Sequence, residues 1–199
     1  MKHVKHFVLI AFVLITATRG FGQKVKLEEG DLSALKSEKS LAFSFNYDSM
    51  SMGGKGHVTE AEYVSKKTAE YNKKTPGKGD EWAKAWKDDR EALYEPEFTK
   101  EFEKYSSLQP DPKAKYLLIF KTTYTEAGFN IGIMRHNAEI SGIAWIVEAA
   151  NKSHVIARIS VTKSPGGSFF ENDFATDERI STAYGAAGRG LGYYFKGKM

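Results

Sequence analysis

Between Tyr116 and Thr162 the chain carries three segments of alternating or β-branched character, and that run constrains the fold more than any other stretch. The first, YLLIFKTTYT (116–125), is rich in β-branched and aromatic residues. As a strand it sets Tyr116, Leu118, Phe120, Thr122 and Tyr124 on one face, and Leu117, Ile119, Lys121 and Thr123 on the other. AEISGIAWIVEA (138–149) reads as the next strand, Asn151-Lys152-Ser153 as turn chemistry, and HVIARISVT (154–162) as the returning strand. That order predicts an antiparallel hairpin, ended by Ser164-Pro165-Gly166-Gly167. An earlier segment, LAFSFNYD (41–48), alternates Leu41, Phe43, Phe45 and Tyr47 with small or polar residues, the pattern of a half-buried strand.

A helical block separates that early strand from the later three. Thr59 and Glu62 stand at the spacing of a capping box, in which each side chain satisfies a free amide at the helix start. The helix they open runs to Lys74 and stops at Pro76-Gly77. A second helix starts at Gly79-Asp80 and carries Trp82, Trp86 and Leu93 down one side. Pro96 opens a third, with Phe98, Phe102 and Tyr105 at helical spacing, and Pro110 and Pro112 close the block. Residues 23–40 read as polar and irregular. A last helix begins near Asp173 or Thr176, with Asp177 and Glu178 in its first turn complementing the helix dipole. Its Ile180, Tyr184, Ala187, Leu191 and Tyr194 should dock on the sheet. Segregated strands and helices predict one α+β domain over residues 23–199. It is expected to have a mainly antiparallel sheet of four or so strands backed by helices, including a C-terminal helix packed on the sheet.

The first residues order a charge, an apolar run and small residues: Lys2 and Lys5, then Phe7 to Ile15, then Gly20-Phe21-Gly22 before Gln23. This is the plan of a secretory signal peptide over residues 1–22, with a cut after Ala17 or Thr18 as the alternative. The apolar run falls short of the roughly 20 residues that span a bilayer. The expectation is an exported protein, periplasmic or secreted, without an integral membrane span once the signal is removed. The whole chain has 29 Lys and Arg against 25 Asp and Glu, and losing Lys2, Lys5 and Arg19 leaves 26 against 25. A nearly neutral chain has no global field to draw in nucleic acid, so no nucleic-acid partner is expected. Lys66-Lys67 and Lys73-Lys74 read as solvated helix faces. There is no cysteine, which excludes disulfides, thiolate metal sites, a thiol nucleophile and a lipidated N-terminal cysteine. This suits a bacterial envelope better than a eukaryotic secretory pathway.

No catalytic constellation stands out. Gly185, Gly188, Gly190 and Gly192 lie late in a helix, whereas a dinucleotide fingerprint needs its glycines between a strand and a helix start. They read as close packing of the helix backbone on the sheet. His57, His136 and His154 lie in separate segments, and His57 with Glu60 is not a zinc signature, so neither metal nor cofactor is expected. There is no nucleophile-elbow motif, and Asp88-Asp89 and Glu101 with Glu103 read as solvated helix charges. Trp82 and Trp86 stack on one helix face within a very polar segment. They are either anchors onto the sheet or an exposed platform for sugars, peptides or a partner surface. Phe129 and Asn130, in TEAGFNIGI (125–133), belong either to a binding loop or to a bulge or tight crossover.

From Lys115 onward, YLLIFKTTYTEAGFNIGI, the hairpin AEISGIAWIVEAANKSHVIARISV, the SPGG turn and RISTAYGAAGRGLGYYF resemble a group of small exported bacterial envelope proteins. Their layout is similar to the periplasmic domain of the curli secretion-channel family and the N-terminal domain of the Tol-system propeller protein. The resemblance implies an edge-exposed sheet backed by helices that serves assembly or protein contact. The lipobox cysteine of the curli channel is absent here, and residues 49–112 have no counterpart in the resemblance. The combined expectation is a non-enzymatic exported envelope protein that contacts a protein or cell-wall glycan partner through a sheet edge or the Trp82/Trp86 surface. A small-ligand binder for a sugar, lipid or peptide is the first alternative, and an unrecognised hydrolase the second.

Overall fold

The computed structural model describes residues 22–53, 58–131, 134–167 and 176–199, with backbone pairing alone for Asn130, Ile131, Met134 and Arg135. The leader and His57 lie outside the described residues. In chain order the strands are β1 (Lys24–Gly30), β2 (Ser40–Asn46), β3 (Ser51–Met52), β4 (Val58–Thr59), β5 (Gln109–Pro110), β6 (Tyr116–Glu126), β7 (Phe129–Ile131), β8 (Met134–His136), β9 (Ala138–Glu148) and β10 (Asn151–Gly166). The helices are α1 (Glu60–Lys74), α2 (Lys78–Asp89), α3 (Glu95–Ser106) and α4 (Thr176–Lys196).

The fold class is α+β, but the sheet is larger than four strands and mixed. Eight strands join it, in the order β1-β10-β9-β6-β2-β5, with β3 and β4 extending one side; β7 and β8 form a separate hairpin. The β6–β9–β10 meander is antiparallel as its sequence requires, with Phe120 opposite Ala144 and Ile159 opposite Ala144 on the other side. β2 instead runs parallel to β6, with Phe43 level with Leu118. The cause is the helical block between them. A connection of that length carries the chain back to its starting end, so the next strand enters in the same direction.

Residues 23–40 are not irregular, because β1 forms the sheet edge there, antiparallel to β10. Only Val25 and Leu27 turn inward, alternating with exposed Lys24, Lys26 and Glu28. Two apolar positions make a weak period-2 signal, and the charges are what an unpaired edge carries to discourage pairing with another chain. The β9–β10 turn falls at Ala149 and Ala150 rather than at Asn151–Ser153. Asn151 Oδ1 does accept a bond from the Ser153 amide, at 3.3 Å, but inside a bulged start of β10. In β6 a bulge between Thr122 and Tyr124 moves the inward face by one residue. Thr125, not Tyr124, is buried beyond it.

Thr59 and Glu62 form the predicted capping box at the start of α1. α2 and α3 are joined without a break by one wider turn, Arg90–Tyr94, in which the Glu95 amide donates to the Arg90 carbonyl five residues back. Pro96 follows at once, and its missing amide hydrogen leaves no bond for the ordinary ladder at that point. The extra residue rephases the helix, so that Tyr94 is buried where Leu93, only half-buried, was expected to face inward.

α4 lies across β9 and β10 and along α3, and of its predicted docking residues Ile180, Tyr184, Ala187 and Leu191 are buried while Tyr194 is half-buried. Three of its glycines, Gly185, Gly188 and Gly192, face α3 rather than the sheet. A Cβ on Gly188 would stand 2.1 Å from the Phe98 carbonyl oxygen, and one on Gly192 2.8 Å from that of Phe102. Gly185 faces Glu97 and Gly190 faces the Gln23 side chain. The backbones of α3 and α4 therefore touch, and no larger residue fits at Gly188. Between this helix pair and the sheet sits the core, where Phe98, Phe102, Phe120, Tyr184 and Phe195 are each almost wholly buried. The opposite face of the sheet carries only a small cluster around Ala42, Ala114, Leu117 and Val147. Among the described residues, no helix is long and apolar enough to cross a membrane.

Candidate functional site

The tryptophan helix is held by aromatic contacts on both sides. One turn apart on α2, Trp82 and Trp86 place their ring centroids 5.5 Å apart. From α1, Tyr63 meets both of them, 6.1 Å from Trp82 and 5.4 Å from Trp86, and Tyr71 lies 5.6 Å from Trp82. Burial pushes the Tyr63 hydroxyl up to about 12. α1 buries no residue completely, so these half-buried rings are its main attachment. Gly79 closes the pair of helices: its amide donates to Asn72 Oδ1 at 2.7 Å, and a Cβ there would stand 2.0 Å from the Thr68 carbonyl oxygen.

The two tryptophans differ in burial. Trp86 is an anchor, 5 % exposed, and its indole N–H donates to Glu60 Oε1 at 2.7 Å. The Arg90 guanidinium bonds the same carboxylate oxygen and lies 4.2 Å over the Tyr47 ring. Tyr47 in turn donates to Glu95 at 3.2 Å. Trp82 is only half-buried and opens onto a hollow of about 270 Å³. Tyr71, Trp82, Trp86 and Tyr94 give that hollow its aromatic lining, and Asp89 and Asp177 its charge.

Tyr94 is the least expected of these residues. It is 4 % exposed, and its ring stacks on Tyr184 with centroids 5.2 Å apart and planes 8° from parallel. The Tyr184 hydroxyl is bonded to Thr122 at 2.6 Å, whereas the Tyr94 hydroxyl is buried without a hydrogen-bond partner among the described residues. Such a group costs about 1–3 kcal/mol when nothing satisfies it. Its ionisation is opposed first by burial and then by Asp89, with Asp177 also acting on it. Tyr94 and both of these carboxylates line the same hollow. Asp89 itself is held above the usual carboxylate range, first by burial, then by Asp177 and by Asp88.

A second, more open hollow of about 510 Å³ lies at the β2–β3 end, where Tyr47, Met50 and Val58 share the lining with Ser51, Thr59, Glu60 and Arg90. The Glu60–Arg90 pair separates it from the first. Phe129 lines neither hollow. It is 44 % exposed on the β7–β8 hairpin, where its ring stacks on His136 at 5.7 Å. Asn130 pairs with Arg135 in the same hairpin, and its side chain lies outside the described residues. The TEAGFNIGI segment is thus a small hairpin of its own. Its Gly128, at φ +66°, leads into it in a conformation that favours glycine. His154 Nδ1 lies 3.2 Å from Glu148 at the tip of the β9–β10 hairpin, with the histidine exposed. Among the described residues, no group of three or more His, Asp or Glu is arranged to hold a metal ion.

Sequence reasoning found the tryptophan pair but not Tyr94, Asp89 or Asp177 as its companions. Asp89 read as a solvated helix charge and Asp177 as a dipole complement. Tyr94 was hidden by the wide turn, which an ordinary helical count does not anticipate.

No protein-family model matches this sequence, and no curated protein does. Among solved structures, the PelC dodecamer from Paraburkholderia phytofirmans aligns over 82 % of this chain and 96 % of its own, at 12 % identity and a TM-score of 0.37. A point variant of that dodecamer aligns over 82 % and 95 %, at 11 % identity and a TM-score of 0.35. Likeness at that level carries no argument about this chain.

Proposed function

We propose that this chain is an exported, non-enzymatic envelope protein that works by binding, and that it holds a small ligand in the aromatic hollow beside Trp82. The observation that carries the reading is one hollow that joins half-buried Trp82 to Tyr94, whose buried hydroxyl has no partner among the described residues. Aromatic walls with a few convergent polar groups are the usual make-up of a small-molecule site, and the volume lies just below the range of about 300–1,000 Å³ usual for drug-sized ligands. The recess also favours a small ligand over a flat protein contact, because Trp86 is buried and gives no platform. The sheet edges are poorly suited to strand addition: β1 carries Lys24, Lys26, Glu28 and Glu29, and β5 is two residues long and ends in Pro110.

The test is a saturation-transfer NMR screen of the mature protein against small amines, neutral alcohols, sugars and amino acids, repeated on Trp82→Ala. Binding by at least one class that is lost in Trp82→Ala supports the reading. Binding that survives Trp82→Ala, or no binding by any class, overturns it.

A further inference from the structure

Building on the reading of the hollow as a small-ligand site, we infer that its ligand carries a primary ammonium group on a short apolar stem. The ammonium is set among Asp89, Asp177 and the Tyr94 hydroxyl, and the stem lies against Trp82 and Tyr71.

Charge is the first argument. Asp89 and Asp177 line one small hollow, and among the described residues neither has a cation within ion-pair distance. Of the nearby cations, Lys84 pairs with Asp88, Arg90 pairs with Glu60, and buried Arg179 donates to the Ala127 carbonyl and to Thr176 Oγ1. The α4 N-terminus offsets part of the charge on Asp177, since helix dipoles favour anions there. It does nothing comparable for Asp89, which lies inside the continuous helix that α2 and α3 form. Asp89, whose proton affinity is raised by burial and by the neighbouring Asp177 in the same partly dry recess, binds a cation better than a neutral molecule.

Hydrogen-bond count is the second argument. An alkylammonium has three N–H donors and no acceptor. Asp89 and Asp177 offer matching carboxylate oxygens in the hollow, and Tyr94, which lines the same wall, carries a buried hydroxyl that no described protein group satisfies. A quaternary ammonium would leave that hydroxyl unsatisfied, and so would a plain hydrocarbon. The third argument is the wall. Trp82 and Tyr71, with ring centroids 5.6 Å apart, present π faces that attract a cation and an apolar surface that suits a short alkyl stem. At about 30 Å³ per water-sized volume, the hollow admits a ligand of roughly six to nine non-hydrogen atoms.

The experiment titrates the mature protein with n-butylammonium chloride, n-butanol, tetramethylammonium chloride and methyl glucoside, at constant ionic strength held with sodium chloride. Trp82 emission and its quenching by acrylamide are the readout. The expected result is saturable protection of Trp82 by n-butylammonium at a concentration at least tenfold lower than by any of the other three. Asp89→Asn with Asp177→Asn should weaken n-butylammonium at least tenfold and leave n-butanol unchanged, and Tyr94→Phe should weaken it several-fold. Thermal unfolding of each variant at or above the wild-type temperature shows that the fold is retained. Equal or tighter binding of n-butanol or methyl glucoside overturns the ammonium assignment while leaving the hollow a binding site. Binding of n-butylammonium that ignores the double Asp→Asn change also overturns it. No response of Trp82 to any of the four compounds overturns both this assignment and the reading on which it rests.

Discussion

The molecule contains two aromatic clusters, and they are built differently. One lies between the α3–α4 pair and the sheet and is made mainly of phenylalanine: Phe43, Phe45, Phe98, Phe102, Phe120 and Phe195. Its rings meet edge to face, as Phe43 and Phe102 do at 5.3 Å, or tilted, as Phe98 and Phe120 do at 4.8 Å. The other lies between α1, α2 and the start of α4 and is made of tyrosine and tryptophan: Tyr63, Tyr71, Trp82, Trp86 and Tyr94. Phenylalanine has no polar atom to satisfy, so it fills a core and stays there. Tyrosine and tryptophan join a wide apolar body to a polar tip, which suits a surface that is half open to water. The first cluster holds the fold, and the second bears a hollow the fold does not need.

The sharpest way to break that contrast is to truncate one ring in each cluster. Phe98→Ala should cost about 3–5 kcal/mol, since it empties the centre of the packed layer. Trp82→Phe should cost less than about 1 kcal/mol, because its ring is half-buried and a smaller aromatic keeps contact with Tyr63 and Tyr71. Urea unfolding of the two variants measures the difference, and comparable losses would show that both clusters are core. Gly188→Ala comes next, at about 1–3 kcal/mol, because its Cβ meets the Phe98 carbonyl and α3 must move away. Gly53→Ala is a useful contrast, since nothing lies near its Cβ and only its φ of +85° opposes the change. Trp86→Phe should cost about 1 kcal/mol, the indole bond to Glu60 being lost while Arg90 still holds that carboxylate.

The smallest effect has the opposite sign. Asp89→Asn should stabilise the protein at pH 7, because the folded state raises this carboxyl's proton affinity through burial and through Asp177 and Asp88. A carboxyl raised on folding costs stability wherever it is ionised. The gain is thus present at neutral pH and closes as pH falls below the ordinary carboxylate range, where the wild-type side chain is protonated in both states. Solvent screening holds it to under about 0.5 kcal/mol. Thermal unfolding of the two proteins at pH 7 and pH 3 measures it, and a destabilised variant at pH 7 would place Asp89 in a structural role instead.

How far the sequence foretold these regions depended on how local the signal was. The β6, β9 and β10 segments were legible because alternation or β-branched content over eight or more residues has no good helical reading. The α1 start was legible because its capping box is complete within four residues. The edge strand β1 was not, since an edge needs charges more than it needs an apolar face. The parallel entry of β6 beside β2 depends on a crossover whose ends are far apart in the chain, and no local pattern records it. For the glycine face of α4, the packing was legible but the partner was not: helical spacing shows which residues are small, not whether a sheet or another helix lies opposite. Of the candidate site, Trp82 and Trp86 were visible as a pair. Tyr94 was displaced by one residue in the wide turn, and Asp177 arrives from the far end of the chain.

The measurement that bears most directly on the account is acrylamide quenching of a protein with Trp82 as its sole tryptophan, made by Trp86→Phe and Trp145→Phe. The account predicts quenching between that of free indole and that of a buried ring, falling further when n-butylammonium fills the hollow. Quenching as fast as free indole, or as slow as a core residue, and in either case blind to added ligand, would contradict it.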